Sequence, residues 1–121
     1  MPKLAAITIY VDDLEQARDF YCEKLGYDIA YTFENGIALK SEGVFIVLEK
    51  TASRSMSKYQ ETAQIVLGLE TENLDKTREV LGELGVLFVH QEPLPFPRGR
   101  FISIFDPSGN VIEILEFKKE E

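Results

Sequence analysis

The 121-residue sequence has no tryptophan, one cysteine and one histidine. The single cysteine, Cys22, excludes an intrachain disulfide and a cysteine-rich zinc site, and it fits a reducing compartment. Positive charge is scarce: 13 Lys and Arg stand against 21 Asp and Glu, a formal net charge of −8. Such a surface repels phosphate backbones, which argues against nucleic-acid binding and favours a cationic or neutral small molecule. No apolar run approaches the roughly 20 residues that cross a bilayer, so no membrane partner is expected. Met1, Pro2 and Lys3 lead into strand-like sequence without an apolar signal core, which predicts a cytoplasmic protein. With 45% hydrophobic and 28% charged residues, the chain can build a core and is not disordered. Its length fits one domain.

Along the chain, residues 4–11 alternate as a strand, with Ile7, Ile9 and Val11 on one face and Ala6, Thr8 and Tyr10 on the other. Asp13 opens a helix, with Gln16 three residues on as a capping box. Leu14, Ala17, Tyr21 and Leu25 form its apolar stripe, widened by Phe20, and Gly26 ends it. Strands are predicted at 27–33, 37–40 and 44–49. Asn35-Gly36 reads as a type I′ hairpin turn with positive φ at both positions. Residues 51–61 are serine-rich and aperiodic, and read as a linker or surface loop.

The plan then repeats. Residues 64–70 alternate, Asn73 caps a helix carrying Leu74, Thr77, Leu81 and Leu84, and Gly85 ends it. Strands follow at 86–90, 100–105 and 111–117, with Asp106-Pro107-Ser108-Gly109 as a turn between the last two. Four matches in register support a duplication: Asp13-Leu14 with Asn73-Leu74, Arg18 with Arg78, Leu25-Gly26 with Leu84-Gly85, and Val47-Leu48-Glu49 with Ile114-Leu115-Glu116. The fold class is therefore α+β, two tandem β-α-β-β-β modules. Module one covers about 4–50 and module two about 62–118, joined by 51–61 within one domain spanning 1–121.

At this point the chain resembles the glyoxalase, bleomycin-resistance and extradiol-dioxygenase superfamily, the vicinal oxygen chelate proteins. The resemblance rests on the opening Ile9-Tyr10-Val11-Asp12-Asp13-Leu14, running to Phe20-Tyr21 and Leu25-Gly26. It rests also on the closing Phe105-Asp106-Pro107-Ser108-Gly109-Asn110-Val111-Ile112-Glu113-Ile114. It implies half-barrel sheets around cavities, helices on the outer face, and a homodimer whose second copy covers open sheet edges. Ile7, Ile9, Val11, Ile65, Leu67 and Leu69 should pack under helices. The opposite face, with Thr8, Tyr10, Gln64, Val66 and Glu113, should line cavities.

The family's enzymes share a metal site drawn from the first and last strand of each repeat. The first-strand slot holds Ala6, which has no donor atom. Its counterpart is Val66 in an ungapped match, or Gln64 if Leu69 is set against Val11. Glu113 agrees with the family's glutamate, and matching through Val47-Leu48-Glu49 puts Ile46 in the fourth slot. Catalytic divalent metals generally need three protein ligands. No family-type metal site and no cofactor are therefore expected, and Glu113 with Gln64 would serve only a degenerate one. His90 lies outside all four slots and reads as a surface or hydrogen-bonded residue. Cys22 has acidic neighbours, Asp19 and Glu23, and reads as passive.

The segment Phe96-Pro97-Arg98-Gly99-Arg100 resembles the aromatic-Gly-Arg stretch that precedes the Asp-Pro turn in the family's antibiotic-binding members. Its alternating prolines make it stiff, so Phe96 and Arg98 could be presented to a ligand at small entropic cost. The alternative is a rigid connector whose arginines pair with surface acids. Tyr10, on the cavity face, suits stacking on a flat or cationic ligand, and is expected to share a cavity with Glu113. Together these features predict a metal-independent protein that sequesters a cationic or aromatic small molecule, as antibiotic-resistance members do. Two readings compete with it. One is a glyoxalase-type lyase, isomerase or transferase with a degenerate or relocated site, in which Glu113 would carry the chemistry. The other is a regulatory or structural dimer whose cavities are filled by its own side chains.

Overall fold

Alternating apolar residues and well-placed caps organise the chain as two βαβββ-type units. The computed structural model describes residues 1, 3–53, 58–61, 63 and 65–119. It divides into two compact units, Met1–Ser55 and Met56–Glu121.

In the first unit, β1 (Ala6–Val11) leads into helix α1 (Leu14–Arg18), which continues as a π-helical stretch, Asp19–Lys24. Strands β2 (Ile29–Phe33), β3 (Gly36–Leu39) and β4 (Phe45–Lys50) complete a four-stranded sheet of order β1-β4-β3-β2. β1 and β4 run parallel, and the other pairs are antiparallel. Asp13 accepts the Gln16 amide at 3.0 Å, satisfying one orphan donor of the helix start. The widened turn shows in the bond from the Leu25 amide to the Phe20 carbonyl, five residues back. It lets adjacent Phe20 and Tyr21 both enter the core, edge to face with ring centres 5.0 Å apart. Gly26 closes the segment at φ +85°.

The second unit repeats the order with β5 (Leu67–Glu70), α2 (Leu74–Glu83), β6 (Leu87–Phe88), β7 (Leu94–Phe96), β8 (Gly99–Phe105) and β9 (Val111–Phe117). Its sheet runs β5-β9-β8-β6, with β7 also pairing β8. Asn73 accepts the Lys76 amide at 3.1 Å, and Gly85 takes φ +81°. One face of this sheet packs under α2: Ile102, Ile104, Ile112 and Ile114 are buried there, with Leu74 and Leu81 of the helix.

Several sequence expectations are corrected, among them Ile65, expected to pack under a helix but 89% exposed ahead of β5. Neither Asn35 nor Gly36 takes positive φ, so the β2–β3 turn is not type I′. Gly36 instead admits close approach: a Cβ there would lie 2.3 Å from Phe33 Cζ and 2.5 Å from the Leu48 carbonyl. The strand predicted over 86–90 stops at Phe88, and the proline-rich stretch after it returns to the sheet as edge strand β7, where Pro95 needs no ladder donor. Finally, β1 pairs β4 with Ile7 opposite Ile46 and Thr8 opposite Val47, while β5 pairs β9 with Leu67 opposite Ile112 and Gly68 opposite Glu113. The counterpart of Glu113 is therefore Val47, not Ile46, which is buried on the helix-facing side. A slip of one residue moves a side chain to the other face of a sheet.

Candidate functional site

On the second sheet, strand alternation turns Phe101, Ser103, Glu113, Leu115 and Phe117 away from α2. The β8–β9 register sets Ser103 directly opposite Glu113. Ser103 is fully buried and Glu113 half-buried. Over this pair sits Tyr59, which lies in the segment that sequence alone reads as a linker. A turn places it there: the Glu61 amide donates to the Lys58 carbonyl at 3.1 Å, and Gln60 takes the left-handed φ of 66°.

The Tyr59 hydroxyl donates to Glu113 Oε2 and lies 3.0 Å from Ser103 Oγ. A phenol has one proton. With that proton on the Glu113 bond, the Ser103 hydroxyl donates to Tyr59, and the three groups form a chain running from serine to carboxylate. Burial, followed by the bond to Glu113, raises the Tyr59 pKa above its ordinary value, so the phenol stays protonated at neutral pH.

An aromatic row adjoins the polar chain. His90 packs edge-on against Phe101 at 5.7 Å, Phe101 lies 6.2 Å from Phe96, and Phe96 lies 5.7 Å from Phe117. Phe96 thus joins Glu113's face of the sheet. Arg98 is exposed in the turn between β7 and β8. Arg100 points to the helix side, where it holds Glu116 at 2.8 Å and Asp75 at 3.0 Å, so the connector reading holds for this arginine. His90 is hydrogen-bonded, as its isolation in the sequence suggested.

The remaining predicted residues belong to other segments. Gln64 lies outside the described residues. Val66, half-buried, immediately precedes β5. Thr8 and Tyr10 belong to the first unit, on the face of β1 that carries Ala6. Tyr10, 56% exposed, lies opposite Glu49, and the same face carries exposed Tyr31, Phe33 and Phe45. Tyr31 contacts Phe33 at 6.4 Å and Phe45 at 5.9 Å.

Glu113 is thus the one member of the four family metal slots with a donor atom among the described residues, the others being Ala6, Val47 and Val66. Among the described residues no three His, Cys, Asp or Glu side chains gather as a metal would need. Among the described residues the donor set does not fit the family's metal. Cys22 is not activated either: burial raises its pKa, with Glu23 and Asp28 adding to this and Arg18 opposing. Among the described residues no helix is long and apolar enough to cross a membrane.

Sequence reasoning missed Tyr59, Ser103, Phe101 and Phe117. Strand parity could have found the last three, since each alternates onto Glu113's face. Nothing local marks Tyr59.

Comparison with known proteins agrees with this geometry. The chain is 29% identical over 121 residues to the Bacillus subtilis (strain 168) protein YetH, covering 94% of this chain and 98% of that one. It is similar to the crystal structure of UcmS2 at 31% identity and a TM-score of 0.74, with 94% and 97% of the two chains covered. It also shares its fold with TnmS3, an antibiotic binding protein from Streptomyces sp. CB03234, at 24% identity, a TM-score of 0.74 and 98% of each chain. The family model for the glyoxalase/bleomycin resistance protein/dioxygenase superfamily matches residues 3–114, and the chain belongs to that superfamily.

Proposed function

We propose that the protein is a metal-independent binder of a small aromatic cation, seated on the second unit's sheet face between Glu113 and the Phe96–Phe101–Phe117 row. One observation carries the reading: a half-buried carboxylate, oriented by Tyr59 and Ser103, adjoins three clustered rings. Ring faces and a carboxylate attract the same ligand class, a flat molecule with positive charge. The net charge of −8 favours its approach. Ala6 and Val47, and Val66 in the ungapped match, put alkyl side chains at positions where the family ligates metal, which supports binding without metal. The description of TnmS3 as an antibiotic binding protein supports sequestration as the use of such a site. The two units as modules of one domain, a homodimer covering open sheet edges, and a cytoplasmic location belong to the same proposal.

Fluorescence titration with proflavine, a planar cation at neutral pH, and acridine, its neutral counterpart, tests the reading. Proflavine should bind more tightly than acridine. Glu113→Gln should weaken proflavine at least about tenfold, or 1.4 kcal/mol, and leave acridine nearly unchanged. Equal loss for both dyes, or none for either, would overturn it.

A further inference from the structure

The Ser103–Tyr59–Glu113 chain has a direction, and the direction constrains what the face can recognise. The Ser103 proton is spent on Tyr59, and the Tyr59 proton on Glu113 Oε2. What remains for a ligand is Glu113 Oε1 and one lone pair on the Tyr59 oxygen. Both are acceptors, and they belong to groups already hydrogen-bonded to one another. The chain itself therefore offers a ligand two adjacent acceptors and no hydrogen-bond donor.

We infer that Tyr59 is a specificity-determining residue: with Glu113 it forms a paired acceptor that selects ligands by a fork of N–H donors, such as an amidinium or guanidinium, and not by positive charge alone. A planar fork meets both acceptors at once, whereas a quaternary ammonium of equal charge can donate to neither. The Phe row is then available to the flat part of the same molecule. Burial of Ser103 fixes the far end of the chain, so the acceptor pair is pre-organised and little ordering is needed on binding. This inference rests on the cation-binding reading above and adds the donor requirement to it.

The test compares benzamidine with trimethylphenylammonium, two aromatic monocations of which only the first carries N–H donors, by calorimetric titration of the full chain. The wild type should prefer benzamidine by about tenfold, the order expected of one hydrogen bond to a charged group. Tyr59→Phe keeps the ring, removes the phenol acceptor and releases Glu113 Oε2, so the fork no longer meets the Tyr59–Glu113 pair. The preference should then change at least about threefold from the wild-type value while trimethylphenylammonium binding holds. Thermal melting checks that the variant folds; if it does not, the wild-type comparison decides alone. Equal affinity of the wild type for both compounds would overturn the donor requirement and leave the cation reading standing. A preference untouched by Tyr59→Phe would remove Tyr59 from recognition. Binding of neither compound would overturn the cation reading, and this inference with it.

Discussion

The backbone amide of Ser103 donates to Nε2 of His90 at 3.1 Å. Phe88 lies opposite Ile104, so Val89 and Ser103 are the next pair, and the Val89 amide does reach the Ser103 carbonyl at 2.9 Å. A regular antiparallel pair would return the second bond from the Ser103 amide to the Val89 carbonyl. The imidazole takes that place, which lets the chain leave the sheet after Phe88. Because Nε2 accepts, the ring proton is on Nδ1, where it donates to the Glu92 carbonyl at 2.8 Å. His90 is a structural plug.

Removing the plug leaves a buried amide without its acceptor. His90→Ala should therefore cost about 1–3 kcal/mol, the usual penalty for an unsatisfied buried group. Urea unfolding of variant and wild type measures it. A loss below about half a kcal/mol would show that solvent replaces the ring.

The repeat was legible because its punctuation is local. Asp13 and Asn73 cap helices three residues from the amides they accept, and Gly26, Gly85 and Gly109 take the left-handed φ their positions demanded. The site was only half legible. Glu113 could be placed by parity, but Tyr59 is held by partners 44 and 54 residues away, and no local pattern encodes such a contact. Ile46 stood in for Val47 because matching similar triplets shifted the register by one residue, a shift that hydrogen-bonded pairing corrects. Asn35-Gly36 reads as a positive-φ turn from its dipeptide, whereas the glycine is there for the ring of Phe33 and the carbonyl of Leu48.

Acid should weaken the join between α2 and its sheet. The Arg100 guanidinium, with help from the Leu74 amide, holds the Glu116 pKa below its ordinary 4.5. A carboxylate depressed in the folded state binds fewer protons there than in the unfolded chain. Its stabilisation is complete above the ordinary value and is lost as pH falls through the folded one. Melting curves of wild type and Glu116→Gln should thus differ most near neutral pH and converge on acidification below 4.5. A gap that widened in acid would contradict this assignment.

The turn before β9 depends on one buried carboxylate. Asp106 Oδ1 accepts the amides of Ser108 at 3.0 Å and Asn110 at 2.7 Å, while Oδ2 accepts the Asn110 side chain at 2.9 Å. Asp106→Ala strands both amides and should cost roughly 2–4 kcal/mol by denaturant unfolding. Asp106→Asn keeps Oδ1 for both amides and loses only the bond from the Asn110 side chain at Oδ2, so it should cost less.

Two glycines should respond to alanine with opposite signs. At Gly99 a Cβ would sit 1.9 Å from the Glu116 carbonyl oxygen and 3.0 Å from Phe117 Cα, both backbone atoms of the neighbouring strand. Nothing flexible can yield, so Gly99→Ala must part β8 from β9 at the end beside Phe96, at a cost of about 2 kcal/mol or more. Gly82 is exposed near the end of α2, and the nearest atom to its added Cβ is Phe88 Cε2 at an ordinary 3.9 Å. Its φ lies outside the left-handed region, so alanine fits and restricts the unfolded chain. Gly82→Ala should stabilise by about 0.5 kcal/mol, less than mid-helix values because the position is one residue from the helix end. Chemical unfolding of the two variants against wild type decides both signs. A neutral Gly99→Ala would mean that β8 and β9 do not approach as closely there as their pairing requires.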